Sequence, residues 1–161
     1  MKSIENINQK KRRVAGKVYY LRQYIEDLNK LLFCEVTPDL LISLIETDSF
    51  FDKFPISSFE LKRKETIDFA DKEKLLSITH KEISSWTSPY YVYLIGVEYC
   101  GMIEVPSLNS FNWDFNFEDE THGAVMFVRK DGKEKLVLDF YEEFSQYFMD
   151  IEIYRFVENK E

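Results

Sequence analysis

The stretch Pro89-Tyr90-Tyr91-Val92-Tyr93-Leu94-Ile95-Gly96-Val97-Glu98-Tyr99 divides the chain. Before Pro89 the apolar residues recur with the 3.6-residue period of a helix, and after it the period falls to that of a strand. Residues 90–99 are nearly all apolar, β-branched or aromatic, which predicts a strand covered on both faces and placed centrally in a sheet. Further on, Phe111, Trp113, Phe115 and Phe117 alternate with Asn112, Asp114, Asn116 and Glu118, the pattern of a strand with one face in the core and one in water. Residues 124–129 and 135–141 flank Lys130-Asp131-Gly132-Lys133, where Asp-Gly suits a two-residue hairpin turn, and residues 149–156 supply a last strand.

Upstream of Pro89 the pattern is helical. Val14, Val18, Leu21, Ile25, Leu28 and Leu32 form the stripe of one amphipathic helix. Thr37-Pro38-Asp39 offers a cap, a first-turn proline and an acid, predicting a second helix over 38–47. Phe50, Phe51 and Phe54 stop at Pro55, and residues 59–69 read as a mixed region with short strand character. Asp71 can cap a third helix with Leu75, Leu76, Thr79, Ile83 and Trp86 on one face. The fold class is therefore α+β, with N-terminal helices packed on one face of a C-terminal antiparallel β-meander sheet whose other face is partly open. A single domain is expected over 1–161: a flexible basic N-terminus at 1–13, a mainly helical part at 14–86 and a mainly stranded part at 90–156.

Composition agrees. A chain of 161 residues, 45% apolar, with 2 Trp, 10 Tyr and 14 Phe can bury a sizeable core without a disulfide or a metal. No segment is apolar for long enough to span a membrane. Cys34 and Cys100 stand far apart in apolar settings and read as two buried thiols. No apolar stretch of signal-peptide length follows the first residues, so a cytoplasmic chain is expected, and Lys10-Lys11-Arg12-Arg13 reads as a solvated run at a frayed end.

The net charge of −8 is unevenly spread. Residues 1–85 hold 15 basic and 14 acidic side chains, whereas residues 86–161 hold 6 and 15. The second half would repel a phosphate backbone and attract a basic protein, which argues against nucleic acid, and the hydropathy against a membrane, as the partner.

No catalytic signature stands out. A thiol nucleophile would require Cys100 with His80 or His122, yet nothing local lowers the thiol pKa. The acidic connection 118–123 lacks the spacing of a calcium loop. A nuclease set of Asp114, Asp131 and Lys133 would straddle a hairpin turn and face solvent, and the five glycines form no phosphate loop. The chain is read as a non-enzyme with no cofactor and no metal. What remains is an acidic, aromatic surface: Asp114, Asn116 and Glu118 projecting from their strand, Asp119 and Glu120 beyond it, then Asp139, Tyr141, Glu142, Glu143, Glu152 and Tyr154, with Tyr147 and Asp150 nearby. Tyrosines among carboxylates are the composition of a polar interface with aromatic anchors.

The runs Trp113-Asp114-Phe115-Asn116-Phe117-Glu118-Asp119-Glu120 and Leu138-Asp139-Phe140-Tyr141-Glu142-Glu143, in an acidic chain with helices first and a meander after, resemble immunity proteins of bacterial contact-dependent growth inhibition and related polymorphic toxin systems. The resemblance covers mainly residues 90–156 and rests on no diagnostic motif. It implies stoichiometric, catalysis-free binding of a cognate toxin domain made by the same cell, often a basic nuclease, and it assigns no role to any single residue. Two other readings stay open: an acidic DNA-mimic inhibitor from a mobile element, and a small-ligand-binding domain or enzyme with a pocket between helices and sheet, lined by the strand at 90–99.

Overall fold

The structure is a computed structural model that describes residues 4–84, 86, 89–116 and 122–158. The fold is α+β, helices leading and strands following. The helices are α1 (Ile7–Ala15), a π-helical turn (Gly16–Tyr20), α2 (Leu21–Leu31), α3 (Leu44–Lys53), α4 (Lys72–Ile83) and the short α5 (Val97–Cys100). Six antiparallel strands make one sheet: β1 (Phe59–Asp68), β2 (Tyr90–Leu94), β3 (Ile103–Val105), β4 (His122–Arg129), β5 (Glu134–Glu143) and β6 (Gln146–Phe156), in the order β1-β6-β5-β4-β2-β3. Among the described residues no helix is long and apolar enough to cross a membrane.

Two cores flank the sheet. On one face Tyr24, Leu28 and Leu31 of α2 and Leu75, Ile78 and Ile83 of α4 pack on Val92, Val125, Phe127, Leu136, Leu138 and Ile151. On the opposite face Phe50 and Phe51 of α3 set their rings edge-on to Tyr91 and Tyr93, with centroids 5.3 and 5.4 Å apart, and Phe54 at the end of the same helix packs on Phe156 of β6 at 5.2 Å. The large α2–α4 core anchors β5 and β6 from one side, and on the other side most of their residues are partly exposed.

Several expectations need correction, each for a physical reason. The N-terminus is not a frayed arm from residue 7 onward. Asn6 accepts from the Gln9 N–H and Gln9 accepts from the Asn6 N–H, a reciprocal cap that starts α1 seven residues before the apolar stripe begins. The basic run is held because Arg12 forms an ion pair with Asp48 of α3 and donates to the Glu98 carbonyl at 2.9 Å. The helix that follows widens into the π turn where it passes α5: a Cβ on Gly16 would lie 2.5 Å from the Tyr99 carbonyl oxygen.

The expected helix over 38–47 is instead a single 3₁₀ turn at Pro38–Leu40, an extended link, and α3. Leu41 bridges to Ile103 and the Ile42 N–H donates to the Met102 carbonyl at 2.7 Å, so the sheet edge competes for this backbone, and Ser43 rather than Thr37 caps the helix. The strand expected at 90–99 ends at Leu94, because Gly96 (φ 102°) turns the chain into α5. Cys100 is buried as expected, but Cys34 is exposed.

The alternating segment is not a sheet strand over its described residues 111–116. Phe111 makes one isolated bridge to Leu32, and Phe111, Trp113 and Phe115 are buried beneath the helix-side core, Trp113 lying flat on Phe127 at 5.5 Å. The alternation reports one-sided burial, which an extended segment laid across a core satisfies without a ladder. Phe117 lies outside the described residues. The Lys130–Lys133 connection is longer than the expected two-residue turn, since only Gly132 (φ 72°) takes a positive φ.

Candidate partner-binding face

Strand alternation builds the site. Leu136, Leu138 and Phe140 of β5 and Met149, Ile151 and Ile153 of β6 are core, so Val137, Asp139, Tyr141 and Glu143 and, beside them, Phe148, Asp150, Glu152 and Tyr154 point to the other side. The register sets Asp139 opposite Asp150, Val137 opposite Glu152 and Tyr141 opposite Phe148. Strand β1 then places Thr66 opposite Asp150 and Lys64 opposite Glu152. Four of the expected residues, Asp139, Tyr141, Glu152 and Tyr154, thus come together, partly exposed, on one face, with Glu143 on the same side at its end.

Three groups fix the buried Asp150 carboxylate. Oδ1 accepts from the Thr66 hydroxyl at 2.6 Å and from the Tyr141 hydroxyl at 3.1 Å, and Lys64 Nζ lies 3.6 Å from Oδ2. The Tyr154 hydroxyl donates to Glu152 at 2.7 Å. Burial, that hydrogen bond and the charges of Glu152 and Asp139 push the Tyr154 phenol up to about 12, so it stays a donor at physiological pH. Lys135, between the Phe59 and Tyr93 rings at 5.6 Å from each, is lowered by burial and partly held up by Glu152. The face is net acidic and its carboxylates are oriented before any partner arrives.

The strands β5 and β6 meet in a two-residue turn, Phe144-Ser145, with both φ angles positive at 51° and 63°. Phe144 is 91% exposed, and Glu142 and Tyr147 stand exposed beside it. A phenylalanine in the left-handed region is unusual, and here the strained residue holds its ring in water.

Other expected residues do not join the face. Asp114 and Asn116 sit exposed on the segment that crosses the helix side, where Asp114 acts on Lys72. Lys72 donates to the Phe115 carbonyl at 2.7 Å, and burial pulls its pKa down to about 8 against the pull of Asp114. Glu118, Asp119 and Glu120 lie outside the described residues. Sequence reasoning missed Thr66 and Lys64, because only the β1–β6 register brings them to Asp150.

Cys100, His80 and Asp131, three of the residues considered for chemistry, are held in packing or turn contacts. Burial pushes the Cys100 thiol up to about 11, with Glu98 adding to the shift, the reverse of an activated nucleophile. His80 stands edge-on to Trp113 at 5.2 Å. Asp131 pairs with Arg129 at 2.8 Å and accepts from the Lys133 N–H at 3.0 Å, closing its own turn. Among the described residues no group of three or more His, Cys, Asp or Glu is placed to hold a metal ion. No protein-family model matches the chain, and comparison with curated proteins and with solved structures finds no match.

Proposed function

We propose that this chain is a non-catalytic interaction protein of the cytoplasm, and that the partly exposed face of β5 and β6 binds a basic protein. The reading that fits the residues best is an immunity protein that neutralises a cognate toxin domain. One observation carries it: Asp139, Asp150 and Glu152 converge with Tyr141 and Tyr154 on the face of β5 and β6 beside α3, which reaches β6 at Phe156 through Phe54. A toxin that grips a polyanion has a cationic groove, and a carboxylate-rich face competes for that groove and is steered toward it from a distance. Fixed carboxylates keep the ordering cost of binding low, since Thr66, Tyr141 and Lys64 already hold Asp150. Phe144, at the tip, supplies an apolar anchor beside the charges.

The reading is tested by capturing partners of the tagged chain from its native cells at low and at raised salt, and then expressing the captured protein's domains with and without the chain. A stoichiometric basic protein, released as salt rises and toxic only when expressed alone, is the expected result. A captured protein whose expression is harmless, or no stoichiometric protein at either salt, would overturn it.

A further inference from the structure

The chain also carries an opposite pole. Residues 4–22 hold six Lys and Arg against one Glu, in a protein whose net charge is −8. The inner side of this segment is anchored: Gln9 donates to Asp48 at 2.9 Å, Arg12 pairs with the same carboxylate, Gly16 lies against the Tyr99 carbonyl, and Tyr20 stacks on Tyr99 at 4.5 Å. The outer side is a row spaced i, i+4, i+7, i+11: Ile7, Lys11, Val14 and Val18. Ile7 is 76% and Val18 64% exposed, and Ile4, Val14 and Tyr19 are exposed beside them. Lys10 and Lys17 flank the row, also exposed.

This strip is exposed. Its apolar side chains stand in water, while the lysine stems between them can lie along an apolar layer and keep their ammonium groups at a charged boundary. We propose that the outer face of residues 4–19 rests on an anionic lipid bilayer surface. Charge complementarity selects that occupant: a surface of phosphate headgroups over hydrocarbon accepts both the lysines and the shallow apolar row. This proposal departs from the sequence-based expectation of no membrane partner, and it does not depend on the identity of the protein partner.

The test is co-sedimentation of the full chain with vesicles of phosphatidylcholine alone and of phosphatidylcholine with phosphatidylglycerol, at low and raised salt. Binding at least about tenfold stronger to the anionic vesicles, weakened by salt, is expected. Both Lys10→Glu/Lys11→Glu/Lys17→Glu and Val14→Ser/Val18→Ser should lose it, with an unchanged far-ultraviolet spectrum. Two results would overturn the proposal even without the variants: equal or absent binding to the two kinds of vesicle, or binding to duplex DNA under conditions where anionic vesicles are ignored. Concentration-dependent self-association that the Val14→Ser/Val18→Ser variant abolishes, without vesicle binding, would assign the strip to a second copy instead and overturn it equally.

Discussion

Asp139 and Asp150 stand directly opposite one another on β5 and β6, two carboxylates facing across a strand pair. Like charges so placed oppose pairing, and at Asp150 the fold answers with Thr66, Tyr141 and Lys64, which all converge on its carboxylate. Removing that carboxylate strips two hydroxyls of their acceptor at a position whose side chain is only 12% exposed. Asp150→Ala should therefore lower unfolding stability by about 1–3 kcal/mol in urea titrations, and Asp150→Asn, which keeps an acceptor oxygen, by less. Equal stability of Asp150→Ala and the parent would show that the cluster does not hold these strands.

The N-terminal helix should answer to acid. Partial burial raises the Asp48 carboxyl, but hydrogen bonds from Arg12 and Gln9 and the Arg12 charge outweigh it and hold the carboxyl below its ordinary value. A carboxyl whose folded pKa lies below its unfolded one contributes stability above the unfolded value, and that contribution is lost as pH falls through the folded value. The melting temperature should thus fall as pH drops below about 4, and fall less steeply in Arg12→Ala than in the parent. Parallel pH curves would contradict this.

The β5–β6 turn separates stability from binding. Phe144 and Ser145 both take positive φ angles that Asn-Gly adopts at little cost. Phe144→Asn with Ser145→Gly should raise stability by about 1 kcal/mol or more while weakening capture of the partner. Opposite signs in thermal melting and binding are the expected signature. A drop in melting temperature would show that the Phe144 ring supports the fold after all.

Gly101 marks where backbone meets backbone. Its φ is 86°, a Cβ there would lie 2.1 Å from the Ile42 carbonyl oxygen, and its own carbonyl accepts from the Tyr24 hydroxyl at 2.6 Å. Gly101→Ala should destabilise by about 2 kcal/mol or more, because neither the φ angle nor the Ile42 backbone can yield cheaply. Chemical denaturation measures it directly.

What the sequence revealed follows from which interactions are local. The Asp71 cap and the strands at 124–129, 135–141 and 149–156 are local signals, and the structure contains each of them, whereas the change of period at Pro89 passes over β1, a ten-residue strand upstream of it. Phe111-Asn112-Trp113-Asp114-Phe115 reads as a strand because alternation encodes which side is buried and is silent on pairing; Asp114 and Asn116 lie with it on the helix side. The order of α1 depends on Asp48, 36 residues from Arg12 in sequence, and the Asp150 cluster depends on Thr66, 84 residues away. Partners at such distances have no periodic trace, although the Asn6–Gln9 cap was readable as a helix start.

The central claim is that the acidic face of β5 and β6 is the binding surface, and one comparison tests it most directly. The captured partner's affinity would be measured for the parent chain, for Asp139→Lys/Glu152→Lys, and for Asp114→Lys, which makes a charge change of the same sign on the helix side. The account predicts a loss of at least about tenfold and a shallower salt dependence for the face variant, with Asp114→Lys close to the parent. Unchanged affinity in the face variant, or an equal loss in Asp114→Lys, would contradict it.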